Sequence, residues 1–106
     1  MRMEILPMSS PTITFSFAPD VPLPEAEATL RLAVLAVESL HGADRTQLEM
    51  RARVERSERR FVVDTSTEVG RSLSVIFSGY ARREFGDEGV RVTSSTSAAS
   101  ESGGGS

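Results

Sequence analysis

The feature that most limits what this chain can fold into is the stretch QLEMRARVER, Gln47 to Arg56, where apolar and polar residues alternate one for one. Leu48, Met50, Ala52 and Val54 fall on one side, and Gln47, Glu49, Arg51, Arg53 and Glu55 on the other. Successive side chains of an extended backbone point to opposite faces, so this period predicts a strand with one apolar and one charged face. Such a strand suits a sheet that is covered on one side and wet on the other.

The rest of the chain supplies the cover. TITFSF, Thr12 to Phe17, has the same period, with Ile13, Phe15 and Phe17 inward. Pro19, Pro22 and Pro24 then make a stiff loop, with Pro24 placed as an early helical residue. Glu25 to Gly42 reads as a helix, acidic at its start and closed by glycine. Ala26, Leu30, Ala33, Val34, Val37 and Leu40 form one apolar face of it, and Ala28, Leu32, Leu35 and Ala36 a second. One apolar stripe is enough to cover a sheet. The second is expected to meet a neighbouring helix or another subunit.

After the alternating stretch, Arg56 to Arg59 is a polar turn, and RFVVDTS returns as a third strand with Phe61 and Val63 inward. Thr65 and Glu68 have the spacing of a capping box and open a second helix that reaches Phe85. Its apolar arc is Val69, Leu73, Ile76, Phe77, Tyr80 and Ala81, with Val75 and Gly79 exposed between Arg71 and Arg82. Gly86 stops it, and Gly89 to Thr93 is a short fourth strand. The order β-α-β-β-α-β, with right-handed crossovers, predicts an α+β, ferredoxin-like two-layer sandwich: a four-stranded antiparallel sheet with two helices on one face. A single domain over 12–93 is expected, between an N-terminal arm, 1–11, and a disordered Ser/Gly-rich tail, 94–106.

Several functions lack their residues. There is no cysteine, hence no disulfide, thiolate nucleophile or cysteine-held zinc. His41 is the only histidine and closes a helix, where it suits the dipole and the last carbonyls. Nucleophile elbows and glycine-rich phosphate loops are absent from the sequence. Asp64 beside Arg60 reads as an ion pair rather than an acid-base element. No enzyme activity, metal or cofactor is expected. All 12 basic residues are Arg, which fits a GC-rich bacterial genome, and the net charge of −3 disfavours a generic polyanion binder. No apolar run has the length of a signal peptide core or a membrane span, so a cytoplasmic protein with no membrane partner is expected.

What remains is surface. On the uncovered sheet face, Arg51, Arg53, Arg60 and Arg91 interleave with Glu49, Glu55 and Asp64. Mixed signs weaken phosphate binding, and only a slipped third strand puts Phe61 outward as a stacking platform; nucleic acid is therefore disfavoured. The same mixed face suits a two-fold contact, each Glu meeting a partner's Arg. The sequence thus points to a non-enzymatic protein–protein module, with a protein partner or a second copy in a homodimer. Its interface candidates are Glu49, Arg51, Arg53 and Arg60 on the sheet, or Leu32 and Leu35 on the first helix. A small-molecule regulatory domain is the alternative, and RNA binding on the open face a minor one.

Overall fold

A computed structural model describes residues 10–96. Among these residues there are four strands and three helices, in the order β1 (Pro11–Phe17), α1 (Leu23–His41), α2 (Ala43–Glu49), β2 (Ala52–Glu55), β3 (Arg60–Asp64), α3 (Glu68–Phe85) and β4 (Val90–Thr96). The strands form one sheet in the order β2-β3-β1-β4, and every neighbouring pair is antiparallel. The protein is an α+β structure.

Register follows from the aromatic pattern. Phe15 of β1 lies opposite Phe61 of β3 and Val92 of β4, and Phe17 opposite Val90. A slip of one residue would turn this whole set to the wet side, so burial fixes the register. Phe61 and Val63 face inward as the pattern predicts. They join Phe15, Phe17, Ala33, Val37, Leu73 and Phe77 in the core between the sheet and helices α1 and α3. The rings meet edge to face: Phe15 and Phe77 have centroids 4.9 Å apart at 87°, and Phe17 and Phe61 are 4.8 Å apart. Burial of each such side chain contributes about 1.5–3 kcal/mol.

The alternating stretch behaves differently from its pattern. Two helices were expected and three are present, because Ala43–Glu49 forms α2. Gly42, at φ 90°, lets the chain leave α1, and the next helix starts directly. Gln, Leu and Glu are good helix formers, Asp44 sits in the first turn, and Arg45 bonds Glu49 one turn later at 3.0 Å. These local terms, together with burial of Thr46, outweigh the period of two. Gln47 and Glu49 are therefore not strand residues, and Leu48, expected in the core, is 76% exposed. Only Ala52 to Glu55 pairs as β2, with Ala52 and Val54 on the side of Phe61 and Val63.

Other boundaries shift less. The cap of α3 is Thr67 rather than Thr65: its Oγ1 accepts from the Gly70 N–H at 3.0 Å and donates to the Glu49 carbonyl. Glu68 is then the first helical residue and bonds Arg45 at 2.9 Å instead of capping. Leu40, placed in the first apolar face of α1, is largely exposed. Strand β4 continues three residues past Thr93, because Ser94, Ser95 and Thr96 pair with Ile13, Thr12 and Pro11. Most of the expected N-terminal arm and of the expected tail lies outside the described residues.

Candidate functional site

The open face of the sheet is built in rows across the strands. Glu55, Arg60, Ser16 and Arg91 make one row; Arg53, Val62, Thr14 and Thr93 the next; Asp64, Thr12 and Ser95 the third. This face carries both charges on β2 and β3, hydroxyls along β1 and a further charge at Arg91 of β4, with Val62 buried among the side chains. Among the described residues it carries no aromatic ring, since Phe15, Phe17 and Phe61 all point to the core.

Glu55 organises its charges. Its two carboxylate oxygens accept separately, Oε2 from Arg53 Nε at 2.6 Å and Oε1 from Arg60 Nε at 2.5 Å. These two hydrogen bonds hold the Glu55 carboxyl below its ordinary range, Arg53 contributing most, and the Glu55 carboxylate raises the Arg60 guanidinium. The expected ion pair of Arg60 with Asp64 does not form. Asp64 Oδ1 instead accepts the Ser66 N–H at 2.8 Å, in a turn of the Asx type. Arg51 is exposed and makes no ion pair among the described residues; its carbonyl accepts the Asp64 N–H at 2.8 Å.

Of the sheet candidates, the structure brings Arg53 and Arg60 together on Glu55, with Arg51 beyond the end of β2. Glu49 is elsewhere: it ends α2 and holds Arg45, whose other side-chain nitrogen reaches Glu68. A ladder of alternating Glu and Arg is thus replaced by closed local pairs. A shallow depression of about 510 Å³ lies beside them, lined by Thr12, Arg51, Arg53, Val62 and Asp64 among others. Leu32 and Leu35 lie on the outer surface of α1, each 58% exposed, and no neighbouring helix among the described residues covers them.

Two arginines that pattern reading left in a turn bind the layers together. Arg59, at φ 55°, donates through Nη2 to the Ala18 carbonyl at 2.7 Å and to the Val21 carbonyl. Arg56 holds Glu27 of α1 through two bonds, at 2.8 and 3.2 Å. A run of four polar residues carries no signal of either contact, because both partners are distant in sequence. His41 Nε2 lies 2.9 Å from Ser72 Oγ and joins the end of α1 to α3. Among the described residues no three His, Cys, Asp or Glu side chains gather as metal ligands do, and no helix is long and apolar enough to cross a membrane.

Fold and surface together define a small α+β protein with one open sheet face and exposed apolar helix surface. Comparison with known proteins finds no matching family model, no matching curated protein and no matching solved structure.

Proposed function

We propose that this chain is a non-enzymatic protein–protein interaction module that self-associates, working in the cytoplasm on a ferredoxin-like scaffold. The strand order with alternating directions supports the scaffold, with α2 as an addition between α1 and β2. The observation that carries the functional reading is apolar surface left on the helices: Leu32, Leu35 and Leu40 on α1, Leu48 on α2 and Val75 on α3 are all more than half exposed. Leu40 of α1 and Val75 and Ile76 of α3 line one shared groove, and contiguous exposed apolar surface is a mark of a contact surface.

The charged sheet face now competes less well. Its carboxylate Glu55 is already satisfied by Arg53 and Arg60 of the same chain, and Glu49 has turned to Arg45. Apolar contact is therefore the favoured form of association. Light scattering on a size-exclusion column, at low and high salt, tests this. A salt-resistant mass of twice 11.5 kDa is expected. A dimer that dissociates in salt, and is abolished by Arg51→Glu with Arg53→Glu, moves the contact to the sheet face. A monomer at every concentration and salt overturns self-association. The depression beside Asp64 supports the second reading, a small-molecule regulatory domain. In that case an amino acid or nucleotide raises the melting temperature in a thermal-shift screen.

A further inference from the structure

The two edges of the sheet are unlike. Strand β2 pairs over only four residues, and its charged side chains Arg53 and Glu55 flank it. Strand β4 is seven residues long, Val90 to Thr96, and among the described residues it pairs only with β1, on one side. It holds no proline or glycine and a single charged residue, Arg91, near its start, whereas natural sheets use short length, proline or charge to keep an edge from pairing. Its other edge therefore offers a row of backbone donors and acceptors of the kind that takes another strand.

The helix above that edge is bare in the same place. Ile13 and Val92 of the sheet and Val75, Ser78 and Gly79 of α3 line a groove of about 360 Å³. Val75 is 73% exposed, and a Cβ on Gly79 would meet nothing within 4 Å. Ser74 lines the groove too, with a buried hydroxyl that finds no partner among the described residues. Small side chains on this surface allow a second helix to come close. An open edge and an uncovered helix flank, side by side, are what each half of a continuous two-subunit sheet requires.

We propose that a second copy of this chain adds its β4 to this edge, antiparallel about a two-fold axis at Thr93. The proposal rests on the self-association reading above and names its surface. An antiparallel strand is complementary to itself, so one patch serves both subunits. With the axis at Thr93, all seven residues pair: Val90 faces the partner's Thr96, Arg91 the partner's Ser95 and Val92 the partner's Ser94. No charged residue faces its like, and threonine pairs with threonine at the centre, both favourable for cross-strand neighbours. The four-stranded sheet doubles its width, and each Val75 is covered by the partner's α3. The β2 edge, by contrast, is short and charged.

The chain has no cysteine, so single cysteines report position without background. The test oxidises Thr93→Cys, Arg53→Cys and Leu35→Cys separately in the full chain, with a short bis-maleimide in parallel, and reads covalent dimer on a denaturing gel. The expected result is rapid dimer formation for Thr93→Cys and little for the other two. Val75→Asp, at an exposed position, is expected to give a monomer by light scattering with an unchanged circular dichroism spectrum. A dimer that cross-links through Arg53→Cys or Leu35→Cys instead overturns this surface but leaves self-association standing. A Val75→Asp variant that keeps the wild-type dimer also overturns the surface. A wild-type monomer at every concentration overturns both.

Discussion

Gly70 sits where the first turn of α3 passes the end of β3. A Cβ built there would lie 2.0 Å from the Asp64 carbonyl oxygen, a backbone atom that cannot swing aside. The contact is tight because Thr67 caps α3 immediately after the Asp64 turn and draws the helix against the strand. Gly70→Ala is therefore expected to destabilise by about 1–3 kcal/mol, the usual cost of overpacking. Gly79 lies in the same helix with nothing of its own chain within 4 Å of a Cβ, so Gly79→Ala should stabilise the single subunit by about 0.5–1 kcal/mol through helix propensity. Denaturant unfolding of the two variants, read at equal slope, checks both signs. The sequence shows two glycines in one helix and gives no reason to treat them differently. The difference comes from β3, which is close in space through a turn that pattern reading left undetermined.

At the scale of elements, β1, β3 and α3 were legible because their patterns have one solution. Phe15, Phe17, Phe61 and Val63 leave no second register that buries them, and Val69, Leu73, Phe77 and Ala81 fit only a helix of period 3.6. The stretch from Gln47 to Glu55 had two solutions. Its alternation fits a strand, while its composition and the Arg45–Glu49 spacing fit a helix in the first half, and the helix prevails up to Glu49. The candidate site inherits this: Arg53 and Arg60 were legible as outward residues, but Glu49 was lost with the strand, and the role of Glu55 depends on β2–β3 pairing. Arg59 shows what pattern cannot give. It ties the β2–β3 turn to the proline loop through two carbonyls, Ala18 and Val21. Arg59→Ala leaves the Val21 carbonyl without this donor, while the Ala18 carbonyl keeps the Val21 N–H at 3.0 Å, and an unsatisfied buried group costs about 1–3 kcal/mol. A loss of about 1–3 kcal/mol is expected, with faster exchange of the Val21 amide as the loop loosens. Arg59→Asn, which tolerates the positive φ, should recover only the backbone part. Equal stability of Arg59→Ala and wild type would show that these bonds are not made in solution.

At the scale of the whole molecule, three carboxylates join separate parts of the fold. Glu27 links α1 to the β2–β3 turn through Arg56, Glu55 links β2 to β3 through Arg60, and Glu68 links α3 to α2 through Arg45. Each is held below its ordinary value, in every case first by a hydrogen bond from arginine: Arg56 for Glu27, Arg53 for Glu55 and Arg45 for Glu68. A carboxylate whose folded value is depressed takes up protons more readily in the unfolded chain. Its stabilisation is thus complete above the ordinary carboxylate range and is lost as pH falls through the folded values. The arginines stay charged throughout and add nothing to this limb. Unfolding midpoints should therefore fall on acidification below the ordinary carboxylate range, and the Glu27→Gln, Glu55→Gln, Glu68→Gln triple variant should flatten that fall. The Glu68 pair is exposed, and Glu27 and Glu55 are half-buried beneath more exposed arginines, so each pair stays open to solvent and contributes little alone, and high salt should flatten the limb as the substitutions do. An acid limb unchanged by both the triple variant and salt would place its origin in other carboxylates. A cooperative loss common to all probes would mean that these three links act on one folding unit, since between them they touch all three helices and the β2–β3 hairpin.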